Sequence, residues 1–285
     1  MRTAWQSIAG SRRKMVEGTY GVIPYSKCGS TKVPRMTTPA QVVKVPEVTL
    51  GFWIIKIAAT TLGETAGDAV SMSMGLGYLA ATGIFTVFLI AAVAAQIKAP
   101  LFNPWLYWTT IIATTIVGTT LADFADRSIG IGYLGGSLVL LAMLLGTLFA
   151  WYNALGTISI ASVSSARSEL FYWATITVSQ TLGTALGDWT ADSAGLGYTG
   201  GIAIFVGLLA AVALAYRFTR VSHTVLFWAA FVLTRPLGAV LGDFLDKPVS
   251  EGGLDLSRFG ASAVLIIFIL LCVALLPQRA ARERH

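Results

Sequence analysis

The sequence is short of charge, cysteine and histidine. Asp, Glu, Lys and Arg make up 12% of its 285 residues, about half the share found in an ordinary soluble domain, and the mean hydropathy is +0.72. A soluble fold of this length could not cover itself with so few polar residues, which puts the chain in a bilayer. There are two cysteines, Cys28 in a polar stretch and Cys272 in an apolar run, and they exclude a disulfide framework or a thiolate metal site. Of the two histidines, His223 follows Arg217 and Arg220 in a short polar segment and His285 ends the chain, so no imidazole pair can hold haem or zinc. Polar chemistry inside the apolar part must use carboxylates, hydroxyls, carbonyls, one lysine and one arginine. Lys plus Arg exceeds Asp plus Glu by 20 to 14. Eight of these cations fall in the first 44 residues and three in the last seven, so no folded basic face exists for nucleic acid.

Residues 1–46 carry Arg12, Arg13, Lys14, Lys27, Lys32, Arg35 and Lys44 among Gly, Ser and Pro, with no signal-peptide core. The composition predicts a disordered cytoplasmic tail, free in solvent or lying near anionic lipid. Met36 offers an alternative start. From residue 50, apolar runs at 51–70, 78–97, 105–122, 133–152, 171–188, 198–216, 226–243 and 259–276 each approach the roughly 20 residues that cross a bilayer. Eight transmembrane helices are expected. Lys98, Arg167, Arg217, Arg220, Arg279, Arg282 and Arg284 follow even-numbered runs, whereas the opposite loops hold Arg127, Lys247 and Arg258. Both termini are therefore expected in the cytoplasm, and the outward loops carry Asp126, Asp192, Asp246, Glu251 and Asp255.

The chain repeats itself four times. Trp53, Trp108, Trp173 and Trp228 are followed ten residues later by Gly63, Gly118, Gly183 and Gly238, and fifteen residues later by Asp68, Asp123, Asp188 and Asp243. A small residue precedes each Asp, and Gly67, Gly187 and Gly242 with the first four glycines predict close helix packing. Three copies continue to a Gly-x-Gly-Tyr motif ending at Tyr78, Tyr133 and Tyr198; the fourth inserts Lys247-Pro248 and Gly252-Gly253 instead. The units are a tail at 1–46, repeats at 47–100, 101–165, 166–222 and 223–279, and a basic end at 280–285. Each repeat reads as a helix hairpin, and an even number of spans per repeat makes all four parallel in orientation. The expected fold is an all-α polytopic membrane protein with pseudo-twofold or pseudo-fourfold symmetry about the membrane normal. Trp spacings of 55, 65 and 55 favour two halves.

These motifs, with Gly63-Glu64-Thr65-Ala66-Gly67-Asp68, Leu121–Arg127, Leu186–Asp192 and Thr234-Arg235-Pro236-Leu237-Gly238, resemble a bacterial membrane family of four tandem two-helix repeats, the domain of unknown function 347. The resemblance covers roughly residues 46–279 and implies a polytopic protein of the bacterial inner membrane. It implies no activity, so function must be read from the residues.

The Asp positions lie about 22 Å beyond the Trp positions at 1.5 Å per residue. With the tryptophans as interface anchors, the four Asp form one layer deep in the membrane, and Glu64 joins it one turn away on the helix face of Asp68. An ionised carboxylate at that depth costs at least about 2.5 kcal/mol. Lys56, expected to snorkel toward the cytoplasm, and Arg235 are the cations within the spans, which leaves five acids short of compensation by about three charges. Oxygen ligands suit hard cations and not copper or zinc. The leading expectation is therefore a transporter or exporter of a hard divalent cation such as manganese, or a proton-coupled one. Glu64 and Asp68 would be the primary metal ligands, Asp123, Asp188 and Asp243 the rest of the translocation site, and Arg235 a charge partner or gate. Thr60, Thr115, Thr119, Gln180 and Thr184 would line a polar path, with Asp126, Asp192 and Asp246 in an outer vestibule. Two alternatives stand beside it: a small organic solute carrier with Arg235 as anion clamp, and a membrane scaffold whose Asp residues cap hairpins. No enzyme is expected, since no Ser-His or Cys-His pair and no nucleotide loop are present. The expected partners are the lipid bilayer and a small cation, with no covalent cofactor, a bound divalent cation as the one candidate ligand, and a homo-oligomer left open.

Overall fold

The computed structural model describes residues 43–281. The expectations for the tail up to residue 42 and for residues 282–285 lie outside the described residues. Residues 43–46 depart from the expected disorder. Val43 and Val45 are buried, and Pro46 bridges to Ala280 in antiparallel fashion.

Eight long helices run through the described residues, with no β-strand among them: α1 (Leu50–Asp68), α2 (Tyr78–Lys98), α3 (Pro104–Asp123), α4 (Tyr133–Leu155), α5 (Ala166–Asp188), α6 (Gly197–Phe218), α7 (His223–Asp246) and α8 (Arg258–Leu275). Local chemistry starts several of them. Thr49 accepts from Phe52 N, Asn103 accepts from Leu106 N ahead of Pro104, and Ser165 and Ser168 close a capping box before α5.

Five helices, α2, α4, α6, α7 and α8, are long and apolar enough to cross a membrane. The chain is a multi-pass membrane protein. The sequence led us to expect eight such segments, but α1, α3 and α5 are diluted by threonine, glycine and carboxylate. Burial explains this composition. Most polar side chains of these helices face other helices and are shielded from the surroundings, whereas α2, α4, α6 and α8 leave large apolar residues such as Val87, Leu145, Leu214 and Ile267 exposed.

The odd-numbered helices form the centre. α1 packs on α3, α3 on α5, α5 on α7 and α7 on α1, which closes a ring. Glycine sets the spacing around it. A Cβ on Gly118 would lie 2.8 Å from Gln180, and one on Gly63, Gly183 or Gly238 would collide with Thr115, Arg235 or Thr60 of the next helix. Gly67, Gly187 and Gly242 abut Thr119, Ala239 and Glu64 in the same sense. Hydrogen bonds repeat the relation: Thr60 donates to Thr234 O at 3.1 Å and Thr115 to Ala59 O at 3.2 Å.

The even-numbered helices correct the hairpin expectation. α2 packs chiefly on α3, α4 on α5, α6 on α7 and α8 on α1, so each outer helix covers the inner helix of the next repeat rather than its own. The connection accounts for this shift. After the Asp, three inner helices continue as π-helical turns at Ala69–Ser73, Phe124–Ile129 and Trp189–Ser193. Paired glycines with positive φ, such as Gly75 at 68° and Gly77 at 75°, then redirect the chain. The inner contacts favour neither pair of repeats as a separate half. The longer Trp spacing in mid-chain reflects the Gly156–Ser165 connection between α4 and α5.

Candidate functional site: a tiered polar column inside the helix ring

Steps of three, four, four and four residues along a helix keep side chains on one stripe. From each repeat Trp, this stripe yields five tiers. The first is Trp53, Trp108, Trp173 and Trp228. The second is Lys56, Ile111, Ile176 and Phe231, and the third Thr60, Thr115, Gln180 and Arg235. The fourth is Glu64, Thr119, Thr184 and Ala239, and the fifth the four Asp. Every residue in tiers two to five is buried, none more than 5% exposed.

The tryptophans, expected as interface anchors, are part of the interior. Trp108, Trp173 and Trp228 are buried and Trp53 is half-buried. They share the inward stripe with the acids, so a belt facing lipid is closed to them. They pack with Tyr107, Tyr172, Phe227 and Trp151 in edge-on and tilted contacts, and Tyr107 and Tyr172 join through their hydroxyls at 2.6 Å. Val43 and Val45 pack in this same cluster. Lys44 ion-pairs with Glu169 at 2.8 Å and donates to Ile97 O at 2.8 Å, fastening the segment across the aromatic end.

At the opposite end, the acids converge. Glu64, Asp68 and Asp123 can each offer an oxygen such that the three lie within 4.8 Å of one another, and so can Glu64, Asp188 and Asp243, and Asp68, Asp243 and Asp246. Two oxygens on opposite sides of a hard cation, each about 2.4 Å from it, are separated by a similar distance. Asp68, Asp123 and Asp188 precede the π-helical turns without a capping hydrogen bond from their side chains. These three acids are therefore not used as caps of the turns that follow them.

Three cations from the outer connections, none of them among the expected site residues, reach back into this layer. Arg127 lies 3.0 Å from Asp123 and 3.9 Å from Asp188. Lys247 lies 3.2 Å from both Asp68 and Asp243, and Arg258 lies 3.1 Å from Asp246 and 3.7 Å from Asp68. Burial alone would lower the Lys247 pKa, but Asp243, Asp68 and Asp246 overcome it and hold the ammonium above its ordinary value. The charge deficit is thus smaller than the sequence suggested. Asp68, Asp123, Asp188, Asp243 and Asp246, counted as ionised, face Arg127, Lys247 and Arg258, which leaves two negative charges. Neither oxygen of Asp188 has a hydrogen-bond partner among the described residues.

The expected outer vestibule does not form as a unit. Asp246 is buried in the acid cluster, Asp126 is half-buried beside Gly136, and Asp192 is exposed. The π-helical turns and the extended end of α7 orient these three positions differently.

Above the acids, Arg235 crosses the ring. Its Nη2 donates to Glu64 at 2.9 Å, to Thr119 at 2.6 Å and to Thr184. Thr119 also donates to Gly63 O at 3.1 Å. Thr60, Thr115, Thr119 and Thr184 bond backbone carbonyls, whereas neither end of the Gln180 amide has a partner among the described residues. Lys56 does not snorkel. It is fully buried, its Nζ 4.2 Å from the centre of the Phe231 ring, because its position on the stripe points it inward.

The family model described as Repeat of Unknown Function (DUF347) matches residues 51–100, 106–157, 171–222 and 226–279. No curated protein and no solved structure matches the chain.

Proposed function

The chain belongs to the DUF347 repeat family, and from that premise we propose that it is a carrier for a hard divalent cation, such as manganese, or for a cation exchanged against protons. In this reading the protein lies in the bacterial inner membrane with eight crossings, four parallel repeats about the membrane normal and both termini in the cytoplasm. The Pro46–Ala280 bridge supports ends on one side. Glu64, Asp68, Asp123, Asp188 and Asp243 bind the cation, joined by Asp246. Arg127, Lys247 and Arg258 act as resident counter-ions that withdraw as the cation enters, and Arg235 couples the acid layer to the tiers above it.

The observation that carries this reading is the convergence of buried carboxylates from all four repeats, with the Asp188 oxygens free of hydrogen-bond partners among the described residues. A structural set of acids would have each oxygen committed to a fixed donor. A scaffold whose acids cap backbone turns is disfavoured by the missing cap bonds. A bidentate clamp of Arg235 on an organic carboxylate is disfavoured because Nη2, which both two-donor edges of the guanidinium share, is already engaged by Glu64.

The test is manganese flux into proteoliposomes. Asp188→Asn keeps the side-chain volume and should lower flux at least about tenfold, the loss of one charged ligand being worth more than 1.4 kcal/mol. Its elution profile and tryptophan emission should match the unsubstituted protein. Equal flux in the two proteins removes the acid layer from the pathway.

A further inference from the structure

Two cations stand in the second and third tiers of adjoining helices with a single acid to balance them. Lys56 comes from α1 and Arg235 from the adjoining α7, and Glu64 is engaged with Arg235 at 2.9 Å. Gln180, on α5 at the other side of α7, shares a tier with Arg235. All three side chains are 0% exposed. Lys56 Nζ, Arg235 Nε and Nη1, and both ends of the Gln180 amide have no hydrogen-bond partner among the described residues. These groups are rich in donors, an ammonium, two unpartnered guanidinium nitrogens and an amide NH2, and they lie on three consecutive helices of the ring.

We propose that Lys56, Gln180 and the unpartnered Nε and Nη1 groups of Arg235 form a binding site for a small monovalent anion of the halide class, separate from the cation layer. Charge sets the valence. Counted as protonated, Lys56 and Arg235 against Glu64 leave one positive charge beside a tier otherwise filled by Ile111, Ile176 and Phe231. Water could accept these hydrogen bonds but would leave the charge uncompensated, and the Phe231 face replaces neither three hydrogen bonds nor a counter-ion. Size follows from the walls. The second tier is otherwise aliphatic and aromatic, which fits a compact, weakly hydrated ion and not a carboxylic or phosphoric ester. The other repeats lack the site, because Ile111, Ile176 and Phe231 stand where Lys56 does.

The experiment uses the full chain in detergent, without divalent cations, in a sodium gluconate background. Iodide is titrated while tryptophan emission is read, because Trp53 lies three residues before Lys56 and Trp228 three before Phe231. The expected result is a saturable quench, competed by bromide and chloride, on top of ordinary collisional quenching. Lys56→Met should weaken the saturable phase at least about tenfold, and Gln180→Thr, the residue type of two other repeats, should weaken it less. Lys56→Met should also unfold at a higher temperature than the unsubstituted protein in gluconate, since it removes an uncompensated charge, and should gain nothing from added halide. A purely collisional quench, or a saturable phase that Lys56→Met leaves intact, overturns the proposal. Neither outcome bears on cation flux, which is measured separately.

Discussion

The Glu64–Arg235 pair permits a quantitative test because the repeat itself supplies the replacements. Arg235 occupies the tier where the other repeats carry Thr60, Thr115 and Gln180, and Glu64 the tier of Thr119, Thr184 and Ala239. Both side chains are buried and joined at 2.9 Å, with Arg235 also donating to Thr119 and Thr184. Removing one partner strands the other. Breaking a buried pair in this way costs about 3–5 kcal/mol, so Glu64→Thr and Arg235→Thr should each destabilise the protein by about that amount. Arg235→Thr also frees Thr119 and Thr184 from their donor, though both hydroxyls retain bonds to backbone carbonyls. The double variant restores the threonine tiers that the neighbouring repeats already build. It should lie within about 2 kcal/mol of the parent, giving a coupling of several kcal/mol in a double-mutant cycle. The assay is reversible unfolding in mixed micelles followed by tryptophan emission. Additive losses, with the double variant the least stable of the four proteins, would refute the reasoning that the two charges are held in place by each other.

Three further outcomes follow from the same geometry. Gly183→Ala puts a methyl group where the Arg235 side chain lies and should cost at least about 1–3 kcal/mol through overpacking, whereas Gly146→Ala, with open space around it, should be neutral in the same unfolding assay. Lys44→Met strands Glu169, which is 1% exposed and ion-paired at 2.8 Å. It should lower stability by about 3–5 kcal/mol and raise the reactivity of a cysteine placed at Ile111 toward a water-soluble thiol reagent; unchanged labelling would mean that the Val43–Glu47 segment does not seal the aromatic end. The third concerns pH. The Lys247 pKa is raised on folding, so its stabilising contribution is fully present below the unfolded value of about 10.4 and is lost only as pH rises through the higher folded value. Lys247→Arg should therefore leave the pH dependence of stability unchanged between about pH 5 and 9, while Lys247→Met should weaken folding throughout that range.

Much of the inner column was legible because the repeat is exact at a few positions. The Trp, Gly and Asp spacings define one stripe per odd helix, and the structure places those stripes around a common centre. The sequence does not determine which neighbour each outer helix covers. α2 is uniformly apolar, and its composition suits packing on α1 as well as on α3. The fate of the tryptophans was hidden for a related reason. A Trp near a helix end suits a lipid interface and an aromatic core equally well, and only the register it shares with Asp68, Asp123, Asp188 and Asp243 distinguishes the two. The missed counter-ions did leave a trace. Arg127 follows Asp123 by four residues and Lys247 follows Asp243 by four, a spacing that brings side chains together on a helix or its extension. Asp246, one turn beyond Asp243, lies past the apolar run at 226–243 and so reads as a loop residue, whereas α7 continues through it. Arg258 had no such signal, since its approach to Asp68 and Asp246 depends on how the longer fourth loop folds back.

The central claim is that acids from separate repeats form one cation site inside the ring. It is tested most directly by titrating manganese into the purified protein and reading the free ion by electron paramagnetic resonance. The expected result is saturable binding, about one ion per chain for a layer with all five Asp ionised, and its loss in the Asp123→Asn/Asp188→Asn double variant. Manganese that stays free, or binding that survives this double substitution, would contradict it.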